Sequence, residues 1–191
     1  MLLCVSDAHE GLRKAIAQVL GCPWQRCTVH FLRDMQGHVH RSQQQMVAAA
    51  VRQVFAAEDA GEARARLANV VASLEGAAPK VALLLEAAEE ELLAFMAFPR
   101  EHWPKLRSTN PLERLNKEIA RRSDVVGIYP KDESLIRLAG ALLLEQNDEW
   151  LVGRRRYLSG ESLAGLYAAG QADEPQRSAP TQREVVLLTT R

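Results

Sequence analysis

Residues 2–12, Leu-Leu-Cys-Val-Ser-Asp-Ala-His-Glu-Gly-Leu, are a short apolar run closed by an acid, Asp7, and followed by the start of a helix. Leu12, Ile16, Val19 and Leu20 continue at helical spacing, and Gly21 supplies a stop. The unit reads strand, acid, helix. In open α/β sheets functional groups gather where strand carboxyl ends meet the loops that follow, and Asp7 stands at such a place. The next segment, Trp24-Gln-Arg-Cys-Thr-Val-His-Phe31, is expected to form a second strand. Cys27 and His30 are three apart, so on a regular strand they point to opposite faces.

Beyond this opening the chain reads as helices. Segments 33–40 and 42–57 carry apolar positions at Met46, Val47, Val51, Val54 and Phe55. Segment 58–75 places Ala63, Leu67, Val70, Val71 and Leu74 at helical intervals. Gly76-Ala-Ala-Pro79 breaks the pattern, and Pro79 opens a helix to about Met96. Pro99 and Pro104 predict a loop. A further helix is expected over 132–152, with Leu135, Leu138, Ala139, Leu142 and Leu143 inward. Trp24 and Trp150 read as core residues. Trp103 is expected to pack or to anchor a loop, with stacking on an unpaired base as the functional alternative.

The second chemical landmark is Ser108-Thr-Asn-Pro-Leu-Glu-Arg-Leu-Asn-Lys-Glu-Ile-Ala-Arg-Arg122. Asn110 can cap a helix and Pro111 fits its first position, which sets Glu113 at the third. Arg114, Lys117 and Arg121 share one face, while Leu112, Leu115 and Ile119 share another that is expected to be buried. A carboxylate among cations suits a site that holds a metal beside a phosphate backbone. The same Glu113 also suits the return half of a capping box, and the helix alone leaves both readings open.

Composition narrows the class. Apolar residues at 47% and charged residues at 25% match ordinary globular usage, and sparse aromatics (5%) with abundant Ala and Leu favour helix over sheet. The longest apolar stretch, 81–98, is interrupted by Glu86, Glu89, Glu90 and Glu91, which excludes a membrane span there. An odd set of cysteines (Cys4, Cys22, Cys27) and the absence of a signal-peptide pattern lead to the expectation of reduced thiols in the cytoplasm. Formal net charge is zero, yet residues 100–122 hold seven Lys or Arg against three Glu, and Arg154, Arg155 and Arg156 add a second cluster. A local basic stripe can grip phosphates whatever the chain total, because screening confines each charge to roughly 8–10 Å. The alternative is a solvated helix face.

Four blocks carry a resemblance: VSDAHEGL at 5–12, WQRCTVHFLRD at 24–34, RSTNPLERLNKEIARRSDVVGIYP at 107–130 and IRLAGALLLEQNDEW at 136–150. Together they resemble the mutator-type transposases of bacterial insertion sequences, over roughly residues 1–168. The resemblance implies an RNase H-like catalytic core interrupted by a helical insertion, and a DDE triad that binds two divalent ions, Mg²⁺ or Mn²⁺. By motif position Asp7 matches the second acid and Glu113 the third. Both are therefore expected to be catalytic metal ligands. Cys27 and His30 match the family's C-x2-H signature, to which the sequence assigns no role; a zinc half-site lacks a second pair at ligand spacing. Arg107, Arg114, Lys117, Arg121 and Arg122 are the expected DNA contacts. His9, two residues after Asp7, could orient a phosphate or simply cap its helix.

The fold expected is α+β and mainly helical. A truncated RNase H-like core of about two strands occupies 1–34, a helical insertion 35–106, and core helices with the catalytic Glu 107–168. A flexible tail is expected over 169–191. In the family the first catalytic Asp lies upstream of the segment matched by residues 1–12, so this chain is expected to lack it. It is accordingly expected to be inactive alone, since two ions clamping an in-line displacement need bridging carboxylates. The expected partners are double-stranded DNA, at element ends and target, and further copies of the chain. The competing expectation is a non-catalytic helical DNA-binding or assembly module that modulates an intact transposase. A single-metal hydrolase using Asp7 and His9 is a third.

Overall fold

The computed structural model describes residues 2–152, together with 161, 163 and 164. The chain divides into a unit of residues 1–158 and a second of 159–191. Of the second unit, the three described residues are helical. The expected tail, 169–191, and the Arg154–Arg156 cluster lie outside the described residues.

The first unit opens with strand β1 (Cys4–Ser6), helix α1 (Glu10–Ala15), a π-helical run (Ile16–Leu20) and strand β2 (Trp24–Arg26). Gly21, at φ 56°, ends the run in the left-handed conformation, and its N–H reaches the Ile16 carbonyl at 3.0 Å. The strands pair in parallel, with Cys4 opposite Trp24, Val5 opposite Gln25 and Ser6 opposite Arg26. A parallel pair needs a crossover, which α1 provides. Helices α2 (Thr28–Gly37), α3 (Arg41–Val54), α4 (Ala60–Leu74), α5 (Pro79–Ala87) and α6 (Glu89–Leu93) follow, then two 3₁₀ turns (Ala94–Ala97 and Arg100–His102). The short α7 (Trp103–Leu106) leads into α8 (Asn110–Val126) and α9 (Asp132–Val152). The result is the mainly helical α+β body with two strands that was expected.

The core lies between α2 and the 3₁₀ turn after α6. Phe31 and Met35 from α2 meet Val47, Val51 and Val54 from α3, Leu67 and Leu74 from α4, Leu85 from α5, and Leu92 and Phe95. The helical periods read at Ala63, Leu67, Val70, Val71 and Leu74 are all buried, as expected. Asp59 caps α4 by accepting the Glu62 N–H at 2.8 Å, so this helix begins after Glu58 rather than at it.

Several local expectations are corrected. Residues 24–31 are not one strand: the ladder stops at Arg26 and α2 begins at Thr28, ahead of the expected 33. Both the N–H and the hydroxyl of Thr28 turn to the Arg107 carbonyl, at 2.9 and 3.0 Å, while Phe31 and Met35 enter the core one helical turn apart. The helix expected over 79–96 breaks at Ala88. Just beyond it, the buried Gln25 amide donates to the Leu92 carbonyl at 3.0 Å and accepts the Phe95 N–H at 2.8 Å. The loop between Pro99 and Pro104 contains a 3₁₀ turn and opens α7.

The α8–α9 pair buries less than its sequence implied. No residue of α8 is buried, and Leu112 is 57% exposed. In α9, Leu142 is buried, while Leu135 and Leu143 lie at the surface. Leu12, Val19 and Leu20 are also exposed, leaving Ile16 as the buried anchor of the first helical segment. Trp150 is a surface residue, and Trp24 is half-buried, donating to the Ser6 hydroxyl at 2.8 Å beneath the Arg13 guanidinium. Trp103 anchors its loop, donating to the Phe98 carbonyl at 2.7 Å and packing edge-on against Phe95.

Candidate functional site

Asp7 leaves the end of β1 exposed to solvent, and its side chain makes no hydrogen bond or ion pair among the described residues. One step back, the Ser6 carbonyl accepts the Cys27 N–H at 2.7 Å, which extends the strand pairing past β2. Cys27 is fully buried at the head of α2. Its sulfur lies 3.4 Å from both the N–H and the hydroxyl of Thr109. Thr109 in turn donates its hydroxyl to Glu113 Oε1 at 2.7 Å, and its own carbonyl accepts the Glu113 N–H at 3.0 Å. A continuous series of hydrogen bonds therefore joins the strand that ends at Asp7 to the helix that carries Glu113.

His30 completes this corner. With α2 beginning at Thr28, Cys27 and His30 stand one turn apart on the same helix face, not on opposite faces of a strand. Nε2 of His30 lies 3.6 Å from Glu113 Oε1, whereas its Nδ1 is buried without a hydrogen-bond partner. The C-x2-H pair is thus brought to Glu113 through both members: Cys27 by way of Thr109, and His30 directly.

Thr109, not Asn110, is the residue before the first helical turn, so Glu113 sits one position deeper than expected. Its partner is the Thr109 hydroxyl, in place of the backbone N–H that a capping box would use. Thr109 was legible only as the residue before Asn-Pro; nothing in its spacing marked it as a contact of Cys27.

The donor chemistry suits a hard divalent cation. Asp7 and Glu113 offer carboxylate oxygens, the ligands Mg²⁺ prefers, and Glu113 keeps partial solvent access. Among the described residues, however, no three His, Cys, Asp or Glu side chains gather in a way that could hold a metal ion. His9 stands exposed just before α1, with its ring over Gly11.

The basic residues separate into two groups. Arg114, Lys117, Arg121 and Arg122 border a cleft between α8 and α9 that also holds Glu118, Glu145 and Glu149. Glu118 accepts from Arg121 at 2.6 and 2.9 Å and from Arg122 at 2.9 Å. These hydrogen bonds hold its carboxyl at about 2, well below the usual range, and push the Arg121 guanidinium up. Arg107 lies apart, at the end of α7, against α2 and α3. No helix of the described residues is long and apolar enough to cross a membrane.

Residues 1–153 match the profile described as "Transposase, Mutator family". The chain is 41% identical over 98% of its length to the transposase for insertion sequence element IS1081 of Mycobacterium tuberculosis, covering 45% of that protein. It is 40% identical over 84% of its length to the transposase for ISRM5 of Rhizobium meliloti, covering 40% of it. To the transposase for IS256 in transposon Tn4001 of Staphylococcus aureus it is 34% identical over 82% of the chain, covering 41% of the relative. The chain thus spans less than half the length of these relatives.

Proposed function

Because the chain belongs to the Mutator family of transposases, we propose that it forms the part of an insertion-sequence transposase that carries two acids of a DDE site, Asp7 and Glu113. The observation that carries this reading is the series of hydrogen bonds from Ser6 through Cys27 and Thr109 to Glu113. The segments that carry these two acids, far apart in sequence, are linked by it. A truncated RNase H-like core is the architecture that goes with this reading.

Asp7 and Glu113 would hold Mg²⁺ or Mn²⁺, which supplies charge for phosphodiester hydrolysis and strand transfer on double-stranded DNA. Thr109 and His30 fix the Glu113 carboxylate in place. Arg107, Arg114, Lys117, Arg121 and Arg122 bind backbone phosphates, and further copies of the chain assemble around the DNA. Two carboxylates bind such a cation weakly, so this polypeptide alone holds one ion and leaves DNA uncut. A further acid completes the site in the whole enzyme.

Isothermal titration of the purified chain with Mn²⁺ tests the assignment. Binding should be weakened about tenfold or more by Asp7→Asn and by Glu113→Gln, at least the scale on which losing an outer-shell partner acts. Equal Mn²⁺ affinity in all three proteins would sink it. Nicking of terminal-repeat DNA by the unaided chain, abolished in either variant, would instead overturn the inactivity. The second reading, a non-catalytic DNA-binding or assembly module, draws on the lack of a three-ligand cluster among the described residues. It requires salt-sensitive DNA retention with no Mn²⁺ site.

A further inference from the structure

A depression of about 490 Å³ opens between α2, α3 and the end of α7, lined by Thr28, Arg52, Phe55 and Arg107 among others. Through Phe55 and Arg107 it runs on into a smaller one of about 190 Å³, bordered by Arg100 and Trp103. Three guanidinium groups and three aromatic side chains, Phe55, Phe95 and Trp103, thus line the two adjoining depressions, and no carboxylate lines either part. Arg100 leans over Trp103 and reaches Glu58 at 3.8 Å, so part of its charge is shared. Arg52 and Arg107 have no ion pair among the described residues.

The groove differs from the α8 cleft in having no carboxylate on its walls. In the cleft Arg121 and Arg122 already hold Glu118, and Glu145 and Glu149 face the same space. A phosphate entering that cleft approaches three carboxylates, whereas one entering the groove meets none on its walls and only Glu58 beyond Arg100. The groove also leads to the candidate site: Thr28 on its wall binds the Arg107 carbonyl, and Cys27 beside it binds Thr109.

We infer that this groove binds a single DNA strand next to the Asp7–Glu113 site, with Arg52, Arg107 and Arg100 on its phosphates and Phe55 offering a face for a base. Alternating cationic and aromatic side chains are the means by which single strands are held without sequence readout. A depression of this size admits a nucleotide but not a duplex. The inference deepens the transposase reading, since it assigns the path of the strand at that site.

The test is fluorescence anisotropy of a fluorescein-labelled single-stranded oligonucleotide titrated with the full chain. Arg52→Glu/Arg107→Glu should weaken binding about tenfold or more and lower the slope of log affinity against log salt by about 2. Arg64→Gln, on α4 and outside both basic surfaces, should change affinity by less than about twofold, because that charge is already engaged by Glu89 and Glu90. The milder Arg52→Gln/Arg107→Gln pair, with its melting curve checked against wild type, guards against misfolding and should lose affinity in the same direction. The Thr28 bonds go to the Arg107 backbone carbonyl, which every variant keeps. Wild-type affinity in either Arg52/Arg107 pair, or a wild-type chain that ignores single strands, overturns the groove. The Mn²⁺ titration reads the metal site independently, so the two readings fail separately.

Discussion

The Cys27 sulfur accepts the Thr109 N–H at 3.4 Å and lies 3.4 Å from the Thr109 hydroxyl oxygen, which gives its own proton to Glu113 and can accept that of the thiol. Thiols are weak acceptors, so the contact acts more by shape than by strength. It seats the first turn of α8 on the head of α2, and Cys27 is fully buried there. Cys27→Ala opens a small void and leaves the Thr109 N–H without its acceptor, and should cost about 1–2 kcal/mol in urea denaturation. The same burial should make Cys27 the slowest of the three thiols with an aromatic disulfide reagent, behind the partly exposed Cys4 and Cys22.

Thr109→Val keeps the shape of the side chain and removes the hydroxyl that Glu113 accepts at 2.7 Å. The expected loss is about 1–2 kcal/mol of stability, since a hydrogen bond to a charged acceptor is at stake. Thr109→Ser, which retains the donor, should recover most of it. Paired urea curves for the two variants check this; a larger loss in Thr109→Ser than in Thr109→Val would show that the methyl group, not the hydroxyl, matters.

Gln25 is buried and ties α6 to the 3₁₀ turn that follows it, through Leu92 and Phe95. Gln25→Leu would leave a buried carbonyl and a buried N–H without partners, which should cost about 2–4 kcal/mol. Hydrogen exchange at the Phe95 amide should accelerate by at least the factor set by global destabilisation.

The Glu118 carboxyl, held at about 2 by Arg121 and Arg122, titrates below its ordinary 4.5. A depressed folded value means the contribution of this clamp is complete above about 4.5 and fades as pH falls toward about 2. The carboxyl is open to solvent, so the effect on global stability is small. Carbon-detected NMR of the Glu118 side chain should show the low midpoint. In Arg121→Gln/Arg122→Gln it should move back up toward the normal carboxylate range.

Much of the frame was legible because it depends on neighbours in sequence. The apolar run ending at Asp7, the buried face of residues 63–74 and the start of α9 follow from spacing alone. Four blocks of sequence were likewise enough to reveal the resemblance to a transposase family. Elsewhere local pattern misled. Residues 24–31 carry strand-forming types, yet Thr28 turns into a helix because its partner is the Arg107 carbonyl, 79 positions away. Leu112, Leu115 and Ile119 keep an apolar face on α8, but none of them is buried.

What the amino-acid order determined unaided was periodicity: which stretches are helical, which acids end a strand or head a helix, and which family the blocks resemble. Only the folded chain decided that Cys27 and His30 share a face and meet Glu113, and that Glu118 takes up Arg121 and Arg122 while Arg52 and Arg107 face a groove. The reason is one of range. Helical spacing acts over three or four residues, whereas the Cys27–Thr109 contact spans 82 positions and exists only once the intervening helices have packed around their own core.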